Sequence, residues 1–176
     1  MLEHVILVDE NDTPIGQQEK LKAHELAQCH RAFSVFIYRK NTRNEIEILL
    51  QQRHREKYHC GGLWTNTCCG HPRPGETTLD AATRRLFEEM GIRSQLKKVG
   101  VFHYIAPFDN GLTENEVDHV FIGTMENETI IPHAEEIQNY RWITVPNLKT
   151  ELHEKPTLFT PWLQQALNIV SFARSN

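Results

Sequence analysis

The fold of this chain is decided by one stretch, Gly70 to Ile92, which reads GHPRPGETTLDAATRRLFEEMGI. Its first six residues contain two glycines and two prolines, which predict a tight loop. Thr77 stands three residues before Asp80, and this spacing predicts the N-terminal cap of a helix. Gly91 then predicts the left-handed residue at which that helix ends.

The predicted helix has an apolar and a charged side. Its apolar residues recur at helical spacing and form one predicted stripe: Leu79, Ala82, Leu86 and Met90. Arg85 and Glu89 share a flank one turn apart, with Glu88 beside them. A solvated salt bridge is the ordinary interpretation of such a flank. Together with Glu76 in the loop, these carboxylates are also the hard oxygen ligands that a Mg²⁺–diphosphate complex requires.

The whole chain has 176 residues, and we expect one domain spanning residues 1–176. Its net charge of −4 argues against a nucleic-acid partner. No apolar run approaches the roughly 20 residues of a membrane span, and the N-terminus lacks the pattern of a secretion signal. The cysteines are Cys29, Cys60, Cys68 and Cys69. Because two of them are adjacent and badly placed to pair, we expect a reduced, cytoplasmic protein.

Elsewhere the hydrophobic pattern alternates between strands and helices. It predicts strands at residues 5–8, 32–38, 46–52, 99–105, 117–125 and 140–144, a turn at 11–16, and helices at 19–26 and 148–153. Thr160 followed by Pro161 predicts the capped start of a last helix. The apolar face of that helix contains Trp162, Leu163, Ala166, Leu167 and Val170. We therefore expect an α+β fold, an α/β/α sandwich in which helices cover a mixed sheet.

Two short segments carry side chains that could perform chemistry. Cys68 and Cys69 lie close to His71, where a thiol is more often a small buried residue than a nucleophile or an acid. A nearby cation or helix N-terminus would make such a thiol easier to ionise. Glu114 and Glu116 are two residues apart on a strand and point to the same face. They are either exposed carboxylates, ligands of a divalent ion, or a pair in which one carboxyl has a raised pKa.

Histidines could complete a metal site at the second segment. His24, His30 and His71, each ordinary alone, would join the two carboxylates in a nitrogen and oxygen site for a transition metal or Zn²⁺. A competing zinc site would use Cys60, Cys68, Cys69 and His71. The adjacent cysteines lack the two-residue gap of a zinc knuckle, so the sequence favours the first set.

The stretch that begins at Gly70 resembles the Nudix box. The matching positions are Gly70, Glu76, Arg84, Leu86, Glu88, Glu89, Gly91 and Ile92. Arg85 stands where hydrolases of that superfamily carry a glutamate. This difference removes a metal-binding carboxylate and adds a cation that can bind phosphate, so it argues against ordinary Nudix hydrolysis.

Further segments resemble the type 1 isopentenyl-diphosphate isomerases, which have a Nudix fold. They span nearly the whole chain: residues 3–5, 31–34, 50–53, 64–72, 84–85, 114–117 and 160–162. The most specific are Thr-Asn-x-x-Cys-Gly-His-Pro, starting at Thr65, and Glu-Asn-Glu-Val, starting at Glu114. The resemblance implies interconversion of isopentenyl and dimethylallyl diphosphate by allylic proton transfer, in a monomer that binds neither nucleic acid nor membrane.

The resemblance also implies roles for particular residues. Cys69 and Glu116 would be the proton-transfer pair, with Tyr104 beside the glutamate and Trp162 over the reacting carbons. The implied ligands of one divalent metal (Mn²⁺, Mg²⁺ or Zn²⁺) are His24, His30, His71, Glu114 and Glu116. Glu89 would help to hold a Mg²⁺ that the substrate diphosphate also binds. The implied diphosphate contacts are Lys20, Arg53, Lys57 and Arg85.

Two other functions compete with the isomerase. A Nudix diphosphohydrolase would explain the box, but it explains neither Arg85 nor the combination of Cys69 with the paired glutamates. A Nudix-fold binding module without activity would be favoured if the implied catalytic residues were missing, and all of them are present.

Overall fold

The computed structural model describes residues 1–125 and 129–170. Its strands are β1 His4–Val8, β2 Pro14–Glu19, β3 His30–Lys40, β4 Ile46–Arg53, β5 Trp64–Thr65, β6 Cys68–Gly70, β7 Lys97–Pro107, β8 Thr113–Thr124 and β9 Ile137–Thr144. Its helices are α1 Lys20–Glu25, α2 Thr78–Met90, α3 Val145–Glu154 and α4 Leu163–Ile169, with a 3₁₀ turn at Pro156–Leu158. None of the helices in the described ranges is long and apolar enough to cross a membrane.

Strand β3 is the centre of a mixed sheet. It pairs in parallel with β8 over most of its length, from His30 opposite Glu116 to Tyr38 opposite Thr124. On its other edge it pairs antiparallel with β6 and then, near its end, with β4. Strand β8 also pairs antiparallel with β7, and β4 pairs with β5 and β9. This register brings residues that lie about 86 positions apart in the chain side by side at one edge.

Both faces of this sheet are covered, which confirms the predicted α+β sandwich. One hydrophobic core packs α2 against the Phe33 face of β3, and a second packs α3 and α4 against the Phe36 face. The sequence alternation along β3 therefore does not separate a wet face from a dry one. Six consecutive residues, 32–37, are buried, as expected of a central strand that is paired on both edges and covered on both faces.

Helix α2 forms as the sequence predicts at both ends. The hydroxyl of Thr77 accepts a hydrogen bond from the Asp80 amide at 3.1 Å, and Gly91 has a φ of 68°. The stripe prediction is wrong at Leu79, which is 45% exposed. Leu79 lies in the first turn of the helix, whereas the buried arc further along it contains Ala82 and Glu89. This orientation turns the Glu89 carboxylate inward.

Two local predictions are wrong for reasons of packing. The expected turn at 11–16 ends early, because β2 starts at Pro14 and pairs with β1. Helix α4 starts at Leu163 rather than directly after Thr160, because the Thr160 hydroxyl is hydrogen-bonded to that of Thr65 at 2.8 Å. The apolar residues of the last helix are nevertheless buried as predicted: Trp162, Leu163, Ala166, Leu167 and Val170.

Candidate active site

Five side chains that are distant in the sequence form one buried cluster, which we call the His/Glu cluster. Its members are His24 in α1, His30 at the start of β3, His71 after β6, and Glu114 and Glu116 on β8. One ligand atom from each side chain lies within 4.8 Å of all the others. The parallel pairing of β3 with β8 creates this cluster, because it sets His30 directly opposite Glu116.

Backbone contacts aim the imidazoles of the cluster at its carboxylates. Nδ1 of His24 lies 2.7 Å from the Lys20 carbonyl oxygen, and Nδ1 of His30 lies 2.8 Å from that of Gln28. Because a carbonyl can only accept, Nδ1 carries the proton in both rings. Each Nε2 atom then presents its lone pair to the centre of the cluster, as in histidines that bind a metal.

In the cluster, imidazole nitrogens lie close to the oxygens of both carboxylates. Nε2 of His24 lies 3.2 Å from Oε2 of Glu114. Nε2 of His71 lies 2.8 Å from Oε1 of Glu116, and Nε2 of His30 lies 3.4 Å from the same oxygen. Both glutamates are buried. Two carboxylates and three imidazole nitrogens therefore converge in one shielded volume.

The polar atoms of the cluster fit a divalent cation. Nε2 of His24, Nε2 of His30 and Oε2 of Glu114 are buried without a hydrogen-bond partner among the described residues. Such orphaned groups are costly unless something pairs with them. Burial lowers the pKa of His71 to about 3, so this ring is neutral and able to ligate. The mixture of imidazole and carboxylate donors suits Mn²⁺ or Zn²⁺.

A cavity of about 120 Å³ opens beside the cluster and contains Cys69. The Cys69 thiol donates to Oδ1 of Asn66 at 3.1 Å. Burial raises the pKa of this thiol to about 12, and Asp118 acts in the same direction. The thiol is therefore protonated. The nearby Arg53 cation lowers the pKa of the thiol, as expected of a cation, but burial outweighs this effect.

Aromatic side chains form another wall of the cavity. The Tyr104 hydroxyl donates to Oε2 of Glu116 at 2.6 Å, and the two residues are directly paired across β7 and β8. Trp162 donates its indole N–H to Oδ1 of Asn66 at 3.2 Å, so one amide oxygen accepts from both Trp162 and Cys69. The Trp162 ring lies 6.1 Å from that of Tyr104. The acid candidate, the base candidate and the aromatic face thus share one small volume.

Cations converge at another part of the same cavity. All four residues expected to contact a diphosphate line it: Lys20, Arg53, Lys57 and Arg85. Burial lowers the pKa of Lys57 to about 8, and the nearby Arg53 and Arg85 cations act in the same direction. Arg85 contacts Oε1 of Glu89 at 2.6 Å, which leaves that carboxylate on the cavity wall.

The other carboxylates of the Nudix-like stretch lie elsewhere. Glu76 accepts two hydrogen bonds from Arg84, at 2.7 and 2.9 Å, and neither residue lines the cavity. Glu88, which also does not line it, is partly exposed and pairs with both arginines. Of the three box carboxylates, only Glu89 faces the cavity. Gln51 holds its second oxygen at 2.9 Å.

Sequence reasoning missed three buried or half-buried residues of the cavity wall: His59, Asp118 and Glu136. Asp118 follows Glu116 by two residues on β8, so strand periodicity could have found it. Burial raises the pKa of Asp118, and the Ser34 hydroxyl donates to it at 2.7 Å. Glu136 pairs with Lys57 and Arg85, and no pattern in the sequence marks it. Among the described residues, Cys60, Cys68, Cys69 and His71 do not form the competing cysteine site, because the group that could hold a metal contains no thiol.

Comparison with known proteins agrees with this geometry. Residues 29–163 match the model of the NUDIX domain. A protein of Photobacterium profundum named isopentenyl-diphosphate Delta-isomerase is 49% identical over 170 residues, which covers 96% of this chain and 94% of that protein. A protein of the same name from Burkholderia multivorans is 47% identical over 162 residues, covering 92% of this chain and 89% of its own length.

Solved structures show the same fold at lower identity. DR0079 from Deinococcus radiodurans superimposes with a TM-score of 0.75 at 18% identity, covering 96% of this chain and all of that one. A MutT NUDIX hydrolase from Burkholderia pseudomallei superimposes with a TM-score of 0.62 at 21% identity, covering 82% of this chain and 99% of the hydrolase. These likenesses concern the fold alone.

Proposed function

Since the chain belongs to the NUDIX domain family and, within it, to the isopentenyl-diphosphate Delta-isomerases, we propose that its cavity moves a proton along the five-carbon chain of a diphosphate ester. The enzyme interconverts isopentenyl diphosphate and dimethylallyl diphosphate. The terminal alkene carbon gains one proton, and the methylene on the far side of the branched carbon loses one. The double bond moves by one position, and no net proton is consumed.

The proposal for the proton-transfer pair rests on one observation: a protonated thiol and a carboxylate line the same cavity. Cys69 and Glu116 are the two groups. Because an alkene is a weak base, protonation generates positive charge at the branched carbon, and a general acid and a general base must both be in place. In this arrangement one residue of the pair delivers a proton while the other removes one. The pair exchanges these roles when the reaction runs backwards.

Trp162 stabilises the positive charge that develops on the substrate after the first proton transfer and before the second. Its ring face attracts a cation without offering a lone pair that could trap it. The hydrogen bond from its indole nitrogen to Asn66 fixes the ring, and Asn66 also holds the Cys69 thiol. One buried amide therefore sets the position of the aromatic face relative to the thiol.

We assign the His/Glu cluster to one resident divalent metal, with Mn²⁺, Mg²⁺ and Zn²⁺ as the candidate ions. When bound, the metal would supply positive charge that lowers the proton affinity of Glu116. The Tyr104 hydroxyl also donates a hydrogen bond to Glu116, at 2.6 Å, and holds this carboxylate in place. Glu89 has a different assignment, as a ligand of the Mg²⁺ that accompanies the substrate diphosphate.

The cations of the cavity orient the diphosphate. Lys20, Arg53, Lys57 and Arg85 surround the space where the charged end of the substrate would lie. Arg85 also explains why isomerisation is favoured over the hydrolysis typical of Nudix proteins. It adds a fixed positive charge at a position where hydrolases carry a metal-binding carboxylate, and its pairing with Glu89 leaves a single box carboxylate in the cavity.

The remaining assignments follow from the character of the chain. We propose a single domain over residues 1–176, a monomer in a reducing cytoplasm, and no nucleic-acid partner. The net charge of −4 and the four free cysteines support these assignments. The substrate is a small diphosphate.

Proton NMR in D₂O tests the assignment of the pair. Purified protein with isopentenyl diphosphate, Mn²⁺ and Mg²⁺ should form dimethylallyl diphosphate with deuterium in the new methyl group. Cys69→Ala and Glu116→Gln should each remove turnover while leaving the circular dichroism spectrum unchanged. Cys29→Ala, which removes a half-buried thiol outside the cavity, is the matched control. Near wild-type turnover in either cavity variant would refute the pair.

A further inference from the structure

His59 is a buried side chain to which the proposed reaction assigns no role. It lies in the segment between β4 and β5, the same segment that carries Lys57, and it lines the cavity. Only 2% of its side chain is exposed. It does not belong to the His/Glu cluster. Nevertheless its Nε2 atom lies in close contact with Oε1 of Glu114.

The two oxygens of Glu114 thus face different partners. Oε2 faces the cluster, 3.2 Å from Nε2 of His24 and 3.9 Å from Nε2 of His30, and it has no hydrogen-bond partner among the described residues. Oε1 faces His59 on the other side. A carboxylate held in this way can rotate only if its contact with His59 breaks.

Aromatic packing fixes the ring of His59 itself. The ring stacks on Phe108, with centroids 4.9 Å apart and planes 16° apart. It also meets Tyr58 edge-on at 4.2 Å and Trp162 edge-on at 6.0 Å. Two hydrogen bonds anchor the backbone of the same segment. Asn110 donates to the Tyr58 carbonyl at 2.8 Å, and Arg53 donates to the His59 carbonyl at 3.2 Å.

We infer that His59 is a positioning residue whose Nε2 atom holds Oε1 of Glu114 and thereby directs Oε2 into the metal cluster. Carboxylates that ligate metals are commonly held by such outer partners, and losing one costs about 10–100-fold in metal affinity. The inference rests on the proposed metal site and adds a residue to it. It also links that site to the segment that carries the diphosphate cations, because Arg53 donates to the backbone of His59.

Two amide substitutions test the atom that the inference names. The amide nitrogen of Gln can occupy the position of Nε2, whereas that of Asn reaches only the position of Nδ1. His59→Gln should therefore keep the contact with Glu114, and His59→Asn should lose it. His54→Asn, in the same segment but outside the cavity wall, is the matched control.

Binding of Mn²⁺ to the metal-free protein provides a readout independent of activity. It is measured by electron paramagnetic resonance, as the loss of the signal of free Mn²⁺. We expect His59→Asn to weaken binding about 10–100-fold. Binding by His59→Gln and His54→Asn should stay within about threefold of wild type. At saturating Mn²⁺, turnover of His59→Asn should recover, because the ligands themselves are intact.

The possible results separate the inference from the proposed metal site. If the wild-type protein bound no Mn²⁺, Zn²⁺ or Mg²⁺, the proposed site would be wrong. If the wild type bound Mn²⁺ and His59→Asn bound it equally well, the inference would be overturned while the site stood. Two other results would also overturn it. One is that His59→Gln and His59→Asn weaken Mn²⁺ binding equally, and the other is that fewer imidazole nitrogens couple to Mn²⁺ in His59→Gln than in wild type. Either result would indicate that His59 is itself a ligand of the metal.

Discussion

Replacing Tyr104 with Phe removes one hydrogen bond from the cavity and little else. The Tyr104 hydroxyl donates to Oε2 of Glu116 at 2.6 Å, and Tyr104 is 7% exposed. Its ring packs against Phe102 at 5.5 Å and Trp162 at 6.1 Å, and a phenyl ring retains both contacts. The substitution therefore tests whether the proton affinity of the Glu116 carboxylate controls the reaction.

The magnitude follows from the character of the bond. A hydrogen bond to a charged group contributes about 1.5–3 kcal/mol. If all of it acts on the transition state, kcat should fall about 10–150-fold, at about 1.4 kcal/mol for each factor of ten. KM should change by less than about threefold, because the Tyr104 hydroxyl contacts Glu116 and a loss confined to the transition state appears in kcat.

The assay is steady-state kinetics with isopentenyl diphosphate at saturating Mn²⁺ and Mg²⁺. Tyr140→Phe on β9 is the matched control, because this tyrosine is 38% exposed and lies outside the cavity. An unchanged kcat in Tyr104→Phe would refute the assigned role of the Tyr104 hydroxyl. A loss expressed only in KM would refute it equally, because it would place the hydroxyl in substrate binding instead.

Two further predictions concern pH and metal. Burial lowers the pKa of Lys57 to about 8, so its charge is present below that pH and lost as the pH rises through it. kcat/KM should therefore fall above pH about 8, and Lys57→Arg should remove this decline because Arg stays charged. A pH profile identical in the two proteins would contradict the assignment. Removal of the metal should lower the melting temperature, because the ion binds only the folded cluster. At about 100 times its Kd an ion contributes about 2.7 kcal/mol, which corresponds to a shift of about 5–11 °C for a chain of this size. Calorimetry with and without a chelator measures this shift, and equal melting temperatures would exclude a tightly held ion.

The protonated thiol explains why this cavity differs from one built around a nucleophilic cysteine. A thiolate needs stabilising positive charge, and here burial and the Asp118 carboxyl oppose its formation. Cys69 is therefore protonated at neutral pH, and the thiol is a weaker nucleophile than a thiolate.

Ion pairs hold two cations of the cavity wall, Lys57 and Arg85, in place. Glu136 contacts both Lys57 and Arg85, and Glu89 contacts Arg85. These carboxylates hold the cations near the positions in which a diphosphate would meet them. Pre-ordered cations lose less conformational freedom when the substrate binds.

Local signals in the sequence were sufficient to determine much of this protein. The loop and helix from Gly70 to Gly91 and the cap at Thr77 follow from residue types at fixed spacings. The family resemblance implied the five residues that the structure brings together in the His/Glu cluster. Helical and strand periods are properties of the backbone, so they can be read without knowing the partners of a segment.

Tertiary structure alone decided the protonation and the direction of the groups in the cavity. The raised pKa of Cys69 depends on burial, and the orientation of Glu114 depends on His59, 55 positions earlier in the chain. Leu79 is exposed and Glu89 is buried because the sheet selects the face of α2 that it covers. Burial and long-range pairing arise only when distant segments pack together, and no spacing within one segment encodes them.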